Sequence, residues 1–268
     1  MAMYVLHTLW VTALVYAGVC LLYYMLQEKF IFVPTLPGEP FEIRLSSETE
    51  EFFFDTPNKG KIHSLLIKVS KPKGIIFYLH GNTGSLKRWQ FMAEEIACFG
   101  YHVFVPDYRG FGRSKGKRSE AILHRDVEYC FDWLREQHPN IPILVYGRSL
   151  GSGFATRLCS RREAHKLVLE TPYFNLVDVA QFYVPFLPVK WLLRYQLRSD
   201  LYIHNVNCPI HIFHGTRDLI VPYESAFKLF RLVEHKKEVS MTTIPGGKHS
   251  NLNRYPLFHE RLRQFLVD

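Results

Sequence analysis

Apolar positions follow distinct rhythms along this chain. Residues 4–26 are almost continuously apolar and carry no Asp, Glu, Lys or Arg. As a helix rising ~1.5 Å per residue, that stretch is long enough to cross a ~30 Å hydrocarbon layer. Residues 51–70 instead fit an antiparallel pair of edge strands, turning at Pro57-Asn58-Lys59-Gly60. From residue 74 onward, short apolar runs alternate with longer amphipathic stretches. Residues 74–79, 101–106, 141–146, 166–170, 209–213 and 239–244 read as buried strands. Residues 87–99, 119–137, 150–162, 223–234 and 257–267 read as helices. This alternation predicts an α/β fold, a mostly parallel sheet with helices on both faces. Residues 173–200 break the rhythm with the aromatic-rich run Phe182-Tyr183-Val184-Pro185-Phe186-Leu187-Pro188-Val189-Lys190-Trp191-Leu192-Leu193.

The first apolar stretch divides the chain. Residues 1–29 are predicted to be a single-pass membrane anchor and residues 30–268 one globular domain. Trp10, Tyr16, Tyr23 and Tyr24 suit membrane interfaces. A cleaved signal peptide fits poorly, because no basic segment precedes the stretch and its length is excessive. Val19 before Cys20 also argues against a lipoprotein signal, which leaves a buried core helix as the competing reading. Orientation is not readable from the flanks. Lys29 and Arg44 follow the span but Glu28, Glu39 and Glu42 are mixed among them.

Composition adds modest constraints. Hydrophobic residues make up 47% and charged residues 22%, enough for a full core and against wholesale disorder. The net charge of +8 comes with no nucleic-acid recognition motif, so it reads as a basic surface with some attraction to anionic lipid. The five cysteines have no metal-ligand spacing and no disulfide pattern. With the lack of an Asn-x-Ser/Thr acceptor, they lean toward a cytoplasmic catalytic domain.

The chemistry concentrates at strand ends. Gly147-Arg148-Ser149-Leu150-Gly151 follows an apolar strand and precedes a helix. A serine on such a sharp turn presents its hydroxyl as a nucleophile and the next N–H, that of Leu150, to a developing oxyanion. It needs a base and an orienting acid. Asp218 follows the strand and turn His211-Ile212-Phe213-His214-Gly215, and His249 lies in Pro245-Gly246-Gly247-Lys248-His249. Order and placement predict Ser149 as nucleophile, His249 as general base and acid, and Asp218 as the group fixing the imidazole tautomer. Glu170 and Asp178 are the rival acids. A second oxyanion donor is expected from His80-Gly81-Asn82-Thr83-Gly84, at the N–H of Asn82 or, failing that, of Thr83. His80 reads as a loop-ordering residue, as do Asp107 and Arg109 in Asp107-Tyr108-Arg109-Gly110-Phe111-Gly112.

With these motifs in hand, the chain resembles the α/β-hydrolase superfamily. It is most similar to the small membrane-anchored serine hydrolases of the bud-emergence-suppressor and α/β-hydrolase-domain type. The resemblance also takes in Gln27-Glu28-Lys29-Phe30-Ile31-Phe32-Val33-Pro34 and covers nearly the whole chain. It implies an eight-stranded-type sheet, a short lid over residues 173–200, and serine-hydrolase chemistry without metal or organic cofactor. The cysteine-rich N-terminal segment that protein depalmitoylases of this type use is absent. The expected substrate is a carboxylic ester or thioester with an apolar acyl group, from a lipid or an acylated protein. Phe182, Phe186, Leu187, Trp191 and Leu192, with Thr83, are the candidate substrate contacts. A lid that merely buries its own aromatics fits the same pattern. A peptidase or amidase would use the same triad, and a non-catalytic lipid-binding or scaffold protein would use the same pocket.

Overall fold

The computed structural model describes residues 1–34, 43, 48–57 and 59–267. Asn58 of the expected turn, and Glu39, Glu42 and Arg44 beyond the first apolar stretch, lie outside the described residues. The chain begins with one long helix, α1 (Ala2–Ile31), then the two-residue strand β1 (Val33–Pro34). The expected antiparallel pair is β2 (Thr49–Thr56) and β3 (Gly60–Ile67). β4 (Ile75–Leu79), the short β5 (Thr83–Gly84), α2 (Leu86–Ala97), β6 (His102–Pro106) and α3 (Glu120–Gln137) follow. Next come β7 (Ile143–Arg148), α4 (Leu150–Cys159) and β8 (Leu167–Glu170). The inserted stretch holds α5 (Leu176–Tyr183), α6 (Val189–Leu192) and α7 (Ser199–Tyr202). β9 (Ile210–Gly215), α8 (Tyr223–Arg231), β10 (Val239–Ile244) and α9 (Pro256–Val267) complete the order.

Eight strands form one sheet in the order β10-β9-β8-β7-β4-β6-β3-β2. All neighbours are parallel except β2 with β3 and β3 with β6. The strands β4, β7, β8 and β9 are buried at every position because both faces are covered. On β4, Ile75, Phe77 and Leu79 join the core beneath α3, α4 and α8, whereas Ile76 and Tyr78 join the core beneath α2 and α9. Helix boundaries follow local chemistry. Ser119 caps α3 by accepting from the Ile122 N–H at 3.3 Å, with Glu120 in the first turn and Arg135 in the last.

α1 is long and apolar enough to cross a membrane, and residues 2–15 of it are exposed. Its second half differs. Cys20, Tyr23 and Ile31 pack against Leu187, Val189 and Leu193 of the inserted cap. Gln27 is buried, accepting from the Arg194 N–H at 2.7 Å and donating to the carbonyls of Tyr24 and Leu192 at 2.8 and 3.0 Å. Glu28 pairs with Arg194 at 3.1 Å and Arg118 at 3.4 Å, and accepts from the Tyr195 hydroxyl at 2.9 Å. The expected boundary at residues 29 and 30 therefore cuts through a continuous helix whose last turns are built into the globular domain. From there β1 pairs in parallel with β5, and the Val33 N–H donates to the Asn82 carbonyl at 2.8 Å.

Candidate active site

Ser149 stands between β7 and α4 with φ 49 and ψ −117, a left-handed backbone that a residue with a side chain rarely adopts. The turn survives because its neighbours leave no alternative. Its N–H donates to the Glu170 carbonyl at 2.9 Å, and its own carbonyl accepts from the Ser152 hydroxyl at 2.7 Å. A Cβ at Gly151 would overlap the Leu79 carbonyl, so only glycine lets α4 start so close to the end of β4. The N-terminus of α4, led by the Leu150 N–H, points its dipole at the same place.

The other two groups arrive from loops after β9 and β10. A Cβ at Gly215 would strike the Gly247 backbone, so these loops cross in contact. That crossing brings Asp218 beside His249, whose Nδ1 lies 2.7 Å from Asp218 Oδ2. Its Nε2 lies 2.9 Å from Ser149 Oγ. Asp218 Oδ1 accepts from the N–H groups of Ile220 at 2.8 Å and Val221 at 2.9 Å. Burial works against the Asp218 charge. The hydrogen bond and charge of His249, the Val221 N–H and the nearby His214 outweigh it and hold the carboxyl below its ordinary range. An ionised Asp218 can only accept, so His249 Nδ1 carries the proton and Nε2 is free to accept from the serine. A hydroxyl placed on such an imidazole can give up its proton as it attacks. His214 Nε2 is 3.7 Å from Asp218 Oδ2. Burial, against the opposing charge of Asp218, lowers His214 from the usual imidazole range.

The rival acids are engaged elsewhere. Glu170 accepts from the Tyr146 hydroxyl at 2.7 Å and lies 3.4 Å from Arg148. Asp178 meets the Ser225 hydroxyl and Lys228, each at 2.6 Å. Arg148, the variable position of the pentapeptide, is buried over Trp89 and reaches the His249 carbonyl at 3.5 Å. His80, likewise, bonds Asp107 at 2.9 Å inside the core, and Arg109 is paired with Asp126. Among the described residues no cluster of His, Cys, Asp or Glu is arranged to hold a metal ion.

Ser149, Leu150 and Asn82 line an apolar cavity of about 450 Å³. One wall is the face Leu176, Val179, Ala180 and Tyr183 of α5, spaced at helical intervals, with Val184 and Leu193 beyond it. The other is the end of α1, through Tyr23, Gln27, Phe30 and Ile31. Ile220 and Val221, next to Asp218, close the side. Here the sequence-based expectation is corrected. Phe182, Phe186, Leu187, Trp191, Leu192 and Thr83 do not line the cavity. Phe182, Phe186 and Trp191 point outward, Leu187 is buried between the cap and α1, and Thr83 accepts from Arg88 at 3.0 Å. The reasons are local: helical phase turns Phe182 off the α5 stripe, Phe186 lies in the loop after α5, and Trp191 sits on the exposed side of α6. That stripe was legible as an i, i+3, i+4, i+7 pattern. The α1 wall was not, because nothing local ties residues 23–31 to Ser149.

Comparison with known proteins agrees with this architecture. A family model described as serine aminopeptidase, S33, matches residues 70–200. Lysophosphatidylserine lipase ABHD12 of Macaca fascicularis is 30% identical over a 225-residue alignment that covers 72% of this chain and 55% of that protein. The chain thus spans little more than half the length of such relatives. An uncharacterized protein of Mycobacterium tuberculosis is 26% identical over a 264-residue alignment that covers 96% of this chain and 93% of that one. Among solved structures, the esterase Pf2001 of Pyrococcus furiosus superposes with a TM-score of 0.70 at 21% identity, covering 88% of this chain and 97% of that one.

Proposed function

We propose that the chain is a member of the α/β-hydrolase superfamily and, on that premise, a membrane-tethered serine hydrolase that cleaves lipid esters or thioesters. Ser149 attacks the acyl carbonyl while His249 takes its proton, and Asp218 stabilises the imidazolium. The N–H groups of Leu150 and Asn82 receive the oxyanion. His249 then protonates the departing alcohol or thiol, and water repeats the sequence on acyl-Ser149. The observation that carries this reading is the placement of the Ser149–His249–Asp218 chain of contacts, 2.9 and 2.7 Å, at an apolar cavity. A cavity of about 450 Å³ suits one acyl chain, in keeping with a relative named for a lysophospholipid substrate. The anchor is α1, and the catalytic domain faces the cytoplasm.

The aminopeptidase description of the family model is not carried over. An aminopeptidase must hold an α-ammonium group, and among the described residues the lining of this cavity contains no Asp or Glu. The test is a fluorophosphonate probe together with esters, thioesters and amides of matched acyl chains. Wild-type protein should label and turn over the esters or thioesters, and Ser149→Ala should do neither. Turnover that survives Ser149→Ala, or amides cleaved as fast as esters, would refute the assignment.

A further inference from the structure

Residues 2–27 lie in one helix and carry no Asp, Glu, Lys or Arg. At ~1.5 Å per residue they rise about 39 Å, against about 30 Å of hydrocarbon in a bilayer. Every ~20-residue window within this stretch contains residues 8–21. Tyr16 therefore lies about 7 Å or more inside the hydrocarbon boundary nearer the hydrolase domain, wherever within the stretch the span is set.

Tyr16 does not stand there alone. Its hydroxyl donates to the Phe186 carbonyl at 2.9 Å, and Cys20 and Tyr23 pack with Leu187 and Val189. The loop joining α5 to α6 is thus held at the depth of Tyr16. Its make-up suits that place. Residues 184–189, Val-Pro-Phe-Leu-Pro-Val, have no polar side chain, and the two prolines have no N–H to satisfy. Gln181 donates to the Pro185 carbonyl at 2.8 Å, Leu187 N–H to Val184 at 3.0 Å, and Val189 N–H to Leu187 at 2.8 Å. Backbone groups met inside the protein are what hydrocarbon demands. Around this loop Phe182, Phe186 and Trp191 are 64%, 65% and 81% exposed, a patch that water-facing surfaces rarely keep. Lys190 beside them is exposed and long enough to reach headgroups.

We propose that the tip of the cap, residues 182–191, is immersed beside α1 in the nearer leaflet, so that the cavity opens into lipid. The proposal rests on the reading of the cavity as an acyl site. Phe30, Tyr183 and Ile220 both line the cavity and are half or more exposed, so they form its mouth, with Tyr23 of α1 on the inner side. A lipid's acyl chain passes sideways from the leaflet into the cavity and draws its ester toward Ser149, with no apolar surface crossing water. The occupant of the patch is the bilayer itself, because a partner protein would have to bind at the depth of Tyr16.

Full-length protein in phosphatidylcholine vesicles provides the test. The difference in tryptophan emission between wild type and Trp191→Phe isolates Trp191. It should be quenched by nitroxide-labelled acyl chains and shielded from aqueous iodide. Quenching by iodide without quenching by lipid nitroxide overturns the proposal, whatever the activity. A second measurement uses Phe186→Glu combined with Trp191→Glu, both outside the cavity. Its kcat/KM on a long-chain ester in the vesicles should fall about tenfold or more, with a water-soluble short-chain ester unaffected. Equal loss on both substrates, or loss on neither, counts against it. Fluorophosphonate labelling of the same samples separates the two readings. Protein that labels but shows no substrate split sinks the membrane proposal alone. Protein that neither labels nor hydrolyses sinks the serine-hydrolase reading, and the quenching result still decides where the cap lies.

Discussion

The two sides of the cavity are built on different principles. On the reactive side, Ser149, Asp218 and His249 sit on tight loops after β7, β9 and β10 of one sheet, pinned by backbone hydrogen bonds and by glycines that nothing else can replace. On the acyl side, α1 and the cap meet through side chains. Gln27 bridges to Leu192 and Arg194, Glu28 to Arg118, Arg194 and Tyr195, and a few apolar residues fill the seam. Chemistry is thereby set by a rigid frame, and selectivity by contacts that are individually small. The two should come apart under mutation.

The largest effect is expected on the reactive side. Asp218→Asn should lower kcat by roughly 10⁴, the size seen for the equivalent change in another serine-histidine-aspartate enzyme, because His249 loses its working tautomer. Thermal unfolding should change little by comparison. Glu170→Gln, tested alongside, should leave most of the activity; if it is the crippling change instead, the acid has been misassigned.

Removal of the acyl wall is the next break. A chain lacking residues 1–29 should still label with fluorophosphonate and cleave an acetyl or butyryl ester, yet lose its preference for long chains. The deletion removes Tyr23 and Gln27 from the cavity wall. Each methylene held there is worth up to ~0.8 kcal/mol, about fourfold in rate, so loss of the contacts to two methylenes changes the C12 to C4 ratio of kcat/KM by about tenfold. Deletion of residues 1–15 alone, which are exposed, should leave the ratio intact. An unchanged ratio after the longer deletion would remove α1 from the cavity.

Gln27→Leu is a finer cut. It keeps the volume but strands the Leu192 carbonyl and the Arg194 N–H, at a local cost of about 1–3 kcal/mol. KM for a long-chain ester should rise severalfold while kcat on a short ester holds. A uniform fall in kcat would mean that Gln27 supports the reactive side instead.

Proton linkage sharpens the contrast with a smaller effect. His211 on β9 is buried and bonded to Thr242 at 2.9 Å and Ser240 at 2.7 Å. Burial, with a contribution from Arg261, lowers its pKa from 6.5 to about 4. With the folded value below the unfolded one, the unfolded chain binds the proton first. Stability is therefore whole above 6.5 and declines as pH falls toward 4, by a total on the order of 3 kcal/mol. Denaturant unfolding at pH 7 and pH 4.5 should show this slope, and His211→Gln should reduce it, the remainder coming from other imidazoles that burial lowers, His63, His124 and His214 among them. A slope undiminished in the variant would remove His211 as a contributor.

How much of this was legible in the sequence follows the same division. The parallel sheet, its flanking helices and the strand-end positions of Ser149, Asp218 and His249 could be read from apolar rhythm and short motifs. Those features are local: a buried strand needs consecutive apolar residues, and an elbow needs glycine within two residues of its serine. The choice of Asp218 over Glu170 and Asp178 needed the fold, which commits the latter two to Arg148, Tyr146, Ser225 and Lys228. The cavity needed it more. Apolar content marked residues 182–193 as its wall. Only the arrangement of the cap, and the docking of α1 some 150 residues away in sequence, left Phe182, Phe186 and Trp191 outward and placed Val179, Tyr183, Tyr23 and Gln27 beside Ser149. Hydrophobicity decides that a side chain leaves water and is carried by the residue itself. Which apolar surface it leaves water for is a property of two segments meeting, and that was decided in three dimensions.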